Sequence, residues 1–258
     1  MKLELDEYAH LDSPIHRWDP RYKLIALFAL IFAFSFVQDL HLLPAMLVTT
    51  GLLYAASRLP LSYLLNRLRL PGYFLLALAI LLPFLAGDTV IFRLEPLTLR
   101  QEGITALLLV ATRFVSIITI GLVLFGTAPF LTTIKAMRSL GLASVLADMT
   151  FLTYRYIYEF GDRLATMQTA MRLRGFQGNR LSRRNLRLLA SLAGTVLVRS
   201  YEQSERVYKA MILRGYGQAP RRRDQFKARR RDAIALCTVL LIATAFVVAE
   251  ILFEQGGA

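Results

Sequence analysis

Cysteine is nearly absent from the 258-residue chain: Cys237 stands alone. No intramolecular disulfide can form, and in its apolar surroundings this thiol reads as a small packed hydrophobe. No Gly-Lys dipeptide occurs anywhere, so the chain supplies no phosphate loop of the G-x-x-x-x-G-K-[ST] kind. Acids are scarce, with 18 Asp and Glu against 31 Lys and Arg. The first 23 residues, "MKLELDEYAHLDSPIHRWDPRYK", hold no short charged lead, apolar core and small-residue cleavage site, so the first hydrophobic run is expected to stay in the mature protein.

Apolar residues, by contrast, make up 55% of the chain. A chain both apolar and basic, with the two characters in different places, is expected to be an integral membrane protein with cationic loops. Measured against roughly 20 residues per helical span, five runs qualify: Tyr22 to Val37, Leu42 to Ser57, Pro71 to Gly87, Ile104 to Gly126 and Asp232 to Phe253. Each must be helical, because hydrocarbon offers no partner to an open strand edge. Pro44 and Pro83 fall near ends or kinks, where a missing backbone bond is tolerable. The expected fold is therefore all-α, with about five transmembrane helices and a cytoplasmic helical region. Residues 1–126 would hold the N-terminal segment and spans one to four, 127–231 the cytoplasmic or interfacial helical region, and 232–258 the last span.

Charge orients the spans. The segment from Arg155 to Arg231 carries nineteen Lys or Arg against five acids, whereas "QDLH" between spans one and two has none. The positive-inside rule puts the N-terminus, the second connection with Arg58, Arg67 and Arg69, and this long segment in the cytoplasm. "GLASVLADMTFLTYRYIYEF" approaches a span in length but carries Asp148 and Arg155, which are expensive in lipid. It reads better as helix at the inner membrane surface, with Leu142, Leu146 and Met149 on one face. A sixth span there would require another crossing, and "LLASLAGTVLV", Leu188 to Val198, is too short; both stretches could instead be partly embedded.

One sequence repeats. "AMRLRGF", Ala170 to Phe176, and "AMILRGY", Ala210 to Tyr216, agree at five of seven positions. Met167, Ala170, Met171 and Arg174 follow the spacing i, i+3, i+4, i+7, as do Val207, Ala210, Met211 and Arg214, so each set forms one helix stripe. Arg174 or Arg214 suits the negative end of the last turn. Gly175 or Gly215 follows as the residue able to turn left-handed, with Phe176 or Tyr216 to pack back. A single such motif is an ordinary helix stop. Two sharing the whole stripe suggest a docking device, since small residues and Met adapt to a partner's groove and Arg presents a rigid fork to a carboxylate.

Other chemistry is thinly represented. Asp6, Glu7, His10, Asp12 and His16 include ligand types suited to divalent cobalt or nickel, but Asp12-Ser13-Pro14 reads as a turn, and a solvated or structural N-terminus is the better reading. Gly175 to Gly178 follows a helix end, whereas a phosphate cradle precedes a helix start. "RRRDQFKARRR", Arg221 to Arg231, adjoins a span, where it would meet anionic headgroups rather than nucleic acid. A membrane enzyme would need ionisable groups within its spans, and Arg113 alone cannot perform acid-base chemistry. A stand-alone secondary transporter would show repeats among its spans, whereas the repeat here is cytoplasmic.

The paired motifs, "HRWDPRYK" and "MTFLTYRYIYEFGDRLATMQTAMRLRGF" resemble the transmembrane T component of energy-coupling factor (ECF) transporters, specifically the CbiQ/NikQ-type subunit of cobalt or nickel importers. The family motif is usually Ala-Arg-Gly; here both copies, Leu173 to Gly175 and Leu213 to Gly215, read Leu-Arg-Gly. The resemblance implies that the two motif helices dock into grooves on a pair of ABC-type ATPases, the arginines meeting acids there. ATP-driven closure would then move the bundle and a separate S component that binds the cobalt or nickel. The chain itself would be non-catalytic, without cofactor or metal, embedded in a bacterial or archaeal cytoplasmic membrane. A vitamin-type ECF transporter is the nearest alternative.

The charge pattern yields a direct expectation: a topology reporter fused after Ala258 should register outside the cell. A cytoplasmic signal would overturn the five-span count.

Overall fold

The computed structural model describes residues 8, 11–85, 90–94, 97–176, 182–217, 226 and 229–256. Among these residues eight α-helices run in chain order: α1 (Pro20–Phe36), α2 (Leu43–Ser57), α3 (Leu61–Leu85), α4 (Gln101–Gly126), α5 (Phe130–Ser139), α6 (Ser144–Leu173), α7 (Arg183–Leu213) and α8 (Arg230–Gly256). Two compact units result, one of α1 to α5 with α8, the other of α6 and α7. The fold is that of an all-α membrane protein. The one β element among the described residues, unanticipated, is a pair of strands between α3 and α4: β1 (Val90–Leu94) and β2 (Leu97–Arg100) pair antiparallel, with an irregularity between Val90 and Phe92.

In the first unit, four segments among the described residues are long and apolar enough to cross a membrane: Leu40–Ser57, Leu61–Leu82, Gly103–Gly126 and Arg230–Phe253. The remaining expected run is α1, whose 17 residues sit at the lower limit for a span. The third span needs correction. It was expected from Pro71, with Arg67 and Arg69 in the preceding loop, but α3 is continuous from Leu61, so both arginines and Pro71 lie within the helix. A proline in a helix interior removes one backbone bond, and neighbouring groups in a membrane helix can re-satisfy what it frees.

Helix α1 is the axis of this unit. Pro20 opens it and the Asp19 carboxylate accepts from the Arg21 N–H at 3.0 Å, a local cap legible in "WDPRY". It packs on α8, α4 and α5 and buries Leu27, Leu30 and Phe34. Phe34 meets Phe246 of α8 edge to face, centroids 5.0 Å apart. The Trp18 indole N–H donates to the Asp232 carbonyl at 3.2 Å, tying the start of α1 to the start of α8.

Both ends of α1 are held by polar groups from other helices. Lys23 is 1% exposed, and its Nζ donates to the Thr127 carbonyl at 3.2 Å and to Thr127 Oγ1 at 3.0 Å, just past α4. At the far end, Arg113 of α4 donates through Nη2 to the Val37 carbonyl. The Glu250 carboxylate of α8 accepts from the N–H groups of Gln38 at 2.8 Å and Asp39 at 3.5 Å. The pairings Lys23 to Thr127 and Val37 to Arg113 make α1 and α4 antiparallel. A buried cation is expensive unless hydrogen-bonded; buried Lys23 and half-buried Arg113 each donate to a carbonyl that a helix end leaves open, while Arg113 Nε is buried without a hydrogen-bond partner among the described residues.

Thr127→Val keeps the side-chain shape but removes one of the two oxygens on the Lys23 ammonium. It should destabilise the detergent-solubilised protein by about 1–3 kcal/mol, read as a lower midpoint of thermal unfolding. An unchanged midpoint would show that Lys23 finds no support there.

Candidate functional site

The second unit is made of two long helices that stop in the same way. In α6, Arg174 is the last right-handed residue, at φ −86°, and Gly175 turns to φ +84°. The Gly175 N–H then donates to the Arg172 carbonyl at 3.0 Å and the Phe176 N–H to the Met171 carbonyl at 3.0 Å. The end of α7 repeats this: Arg214 at φ −89°, Gly215 at φ +80°, Gly215 N–H to Ile212 O at 2.9 Å and Tyr216 N–H to Met211 O at 3.0 Å. Both are Schellman caps, in which the left-handed residue folds the chain back onto carbonyls left open by the last turn.

The caps divide the predicted stripe. Met167, Met171, Val207 and Met211 are half-buried, whereas Ala170, Arg174, Ala210 and Arg214 are exposed. Leu173 and Leu213 are 85% and 88% exposed. A helix cap requires no apolar residue in water at its tip, and fully burying a leucine is worth about 1.5–3 kcal/mol. Each tip therefore offers an exposed leucine beside a guanidinium, with an alanine methyl one turn back and, on α7, Ile212 also exposed.

Charges on the helix shafts are partly matched. Arg163 pairs with Glu159 at 2.5 Å, Arg206 with Glu202 at 3.8 Å and Lys209 with Glu205 at 2.8 Å, all at i, i+4. The hydrogen bond and charge of Lys209 hold the Glu205 carboxyl below its ordinary range. Arg174 and Arg214 have no ion-pair partner among the described residues.

A long-range contact sets the arrangement of the tips. The Tyr216 hydroxyl donates to Asp148 Oδ2 at 3.2 Å, so the end of α7 lies at the start of α6. From Asp148 to the other tip at Arg174 the chain climbs about 26 residues of helix, or roughly 40 Å at 1.5 Å per residue. The two caps thus stand at opposite ends of one unit. Between the helices lies an apolar groove of about 630 Å³, lined by Met149, Tyr156, Phe160, Tyr201 and Tyr208 together with Val207 and Met211. Sequence reading missed both the groove and the use of Asp148. The tyrosine one step past the second glycine is the one local sign of that bond, whose partners are 68 residues apart.

The N-terminal candidates have other duties. Asp12 pairs with Arg17 at 3.4 Å. His16 lies 2.6 Å from Ser13 Oγ through Nδ1 and 3.0 Å from the Tyr8 carbonyl through Nε2, and burial pushes its imidazole below the ordinary value. Asp6, Glu7 and His10 lie outside the described residues. Among the described residues no group of three or more His, Cys, Asp or Glu could hold a metal ion.

The chain is similar to known proteins over most of its length. The family model described as "CbiQ: Cobalt transport protein" matches residues 12–226. The energy-coupling factor transporter transmembrane protein EcfT of Limosilactobacillus fermentum is 28% identical, the alignment covering 95% of this chain and 96% of that protein. The EcfT proteins of Bacillus selenitireducens and Brevibacillus brevis are each 30% identical, over 93% of this chain and 94% and 96% of theirs.

A Cβ placed on Gly175 or Gly215 meets nothing within 4 Å, so the cost of Gly→Ala there is conformational alone. Gly175→Ala and Gly215→Ala should each weaken the cap by about 1–2 kcal/mol, and Gly→Asn by less, because Asn visits the left-handed region. Amide hydrogen exchange over the last turn of α6 and α7 measures this; equal protection in the alanine and glycine forms would contradict it.

Proposed function

Because the chain belongs to the CbiQ family of cobalt transport proteins, we propose that it is the transmembrane coupling subunit of an ECF-type importer, linking a pair of ABC-type ATPases to a separate membrane S component that binds cobalt or nickel. The observation that carries this reading is the pair of like caps at opposite ends of the α6–α7 unit. Tips separated by about 40 Å of helix cannot share one groove. They suit two equivalent grooves, one on each of two like subunits, whose separation changes when the pair closes on ATP.

In this reading Arg174 and Arg214 each meet a carboxylate with a planar fork, and Leu173 and Leu213 bury their side chains beside it. Ala170 and Ala210 let the partner's backbone come close. Gly175 and Gly215 end the helices so that nothing obstructs the tip, while Met167, Met171, Val207 and Met211 back the tips from inside. ATP hydrolysis is left to the partner, and the chain is non-catalytic. Residues 127–231 act as the coupling region on the cytoplasmic face, with the N-terminus on the same side and five spans, α1 the first. Nineteen basic residues between Arg155 and Arg231 support that orientation.

The cargo assignment rests on the family description, cobalt transport; the relatives are named only as transmembrane proteins of energy-coupling factor transporters. Uptake of radioactive cobalt or nickel by cells carrying the complete complex tests it, and vitamin uptake in its place would move the chain to the vitamin-type class.

Truncating Arg174 or Arg214 to Ala leaves a partner acid unpaired and should weaken ATPase association by about 2–5 kcal/mol, more than tenfold in affinity at about 1.4 kcal/mol per decade. Arg→Lys should restore part of it. Arg222→Ala and Arg230→Ala remove the same charge from the juxtamembrane cluster and should leave association intact. ATPase co-purification and ion uptake at matched membrane abundance are the readouts. If the motif variants behave no worse than these controls, the repeat is a pair of helix stops and nothing more.

A further inference from the structure

A second feature lies in the other unit and is independent of the coupling reading. The end of α2, the start of α8 and the segment leading into α1 surround a cleft of about 680 Å³. Its polar margin carries four arginines, Arg17, Arg58, Arg229 and Arg231, against two acids, Asp12 and Asp232. Both acids are engaged: Asp12 pairs with Arg17, and Asp232 Oδ2 accepts from the Arg229 N–H at 2.9 Å, capping α8. The deeper wall is apolar, formed by Leu53 and Ala56 of α2 and by Ala235 and Val239 of α8. Both helices belong to candidate membrane spans, Leu40–Ser57 and Arg230–Phe253. Trp18, 7% exposed and hydrogen-bonded to Asp232, joins the two zones.

Arg58 is unusual in its backbone. At φ +55° and ψ +26° it is the one non-glycine residue in the left-handed region among the described residues. This position closes α2, where glycine is the common choice. A long basic side chain held in a disfavoured conformation is the kind of outlier from which a functional role can be inferred. Here the helix end places a guanidinium at the mouth of the cleft.

We propose that this cleft binds one anionic phospholipid, its phosphate headgroup held by Arg17, Arg58, Arg229 and Arg231 and an acyl chain lying along Leu53 and Val239. Charge selects the headgroup: four cations against two engaged acids leave a net positive rim, which discriminates a negatively charged lipid from a zwitterionic one. The apolar wall selects the lipid over a free phosphate, because an inorganic ion would leave that surface unfilled. The site would bind the first unit to the anionic leaflet at a fixed point, beside the junction of α1, α2 and α8.

The test uses the full chain, purified in mild detergent, with phosphatidylglycerol and phosphatidylcholine added in equal amounts and the bound lipid counted by native mass spectrometry. Wild-type protein should retain phosphatidylglycerol in preference. Arg58→Gly should reduce that retention about fivefold, the worth of one basic group near an anionic surface, while its thermal midpoint stays equal or rises, since glycine relieves the left-handed strain. The double variant Arg17→Gln with Arg229→Gln should fall further. Arg184→Gln on α7 should retain the wild-type level. Equal retention of both lipids would overturn the proposal, as would undiminished binding by Arg58→Gly or a fall in its thermal midpoint. An equal loss in Arg184→Gln would reduce the effect to bulk charge. Displacement of the lipid by millimolar inorganic phosphate would assign the arginines to a free anion instead.

Discussion

A left-handed residue after the last turn lets a helix end abruptly on its own backbone, with its last carbonyls satisfied and its last side chains in the open. Gly175 and Gly215 are such residues, and the rest of the candidate site depends on them. With a side chain there, the turn is strained, and a helix that ran on or frayed would neither expose Leu173 and Leu213 nor fix the direction of Arg174 and Arg214. The cap reading and the docking reading are therefore not rivals at the level of structure. The cap is the means by which a flexible arginine becomes an oriented one, and the exposed leucine beside it is the part that capping leaves unexplained.

The two units solve different problems. The membrane unit uses polar side chains sparingly, at helix ends: Lys23 on Thr127, Arg113 on Val37, and Glu250 on Gln38 and Asp39. These contacts fix the short helix α1 between α4 and α8 without relying on apolar packing alone, which is weak between helices in lipid. The α6–α7 unit relies on long helices, i, i+4 pairs and one tyrosine–aspartate bond, with an adaptable groove rich in Tyr and Met between them. A stiff pair of shafts with tips at opposite ends suits a part that carries displacement.

What the sequence made legible was local. The apolar runs announced four of the spans through length and hydropathy, and Gly after a basic last turn announced both caps. The start of α3 was misplaced because Arg67 and Arg69 read as loop charges and Pro71 as a helix start, whereas α3 runs unbroken from Leu61 through all three. The hairpin between α3 and α4 went unread because Val90 to Arg100 is bounded by longer, stronger helical patterns. Asp148 looked like a liability in lipid, and its partner Tyr216 is too distant in sequence for any local rule to reach. The opposite placement of the tips follows from that same contact. The repeat therefore showed that there are two like helix ends, and only tertiary structure showed how far apart they lie.

The central claim is that the two tips engage two different ATPase subunits at once. Cross-linking tests it most directly. With Cys237 replaced by Ser, single cysteines at Leu173→Cys and Leu213→Cys would carry a short bifunctional reagent in the assembled complex, and the masses of the products would be measured. Each single variant should yield the chain joined to one ATPase, and the double variant a species carrying two ATPases on one chain. A double variant that captures no more than one ATPase, or tips that react only with the membrane subunits, would contradict the account.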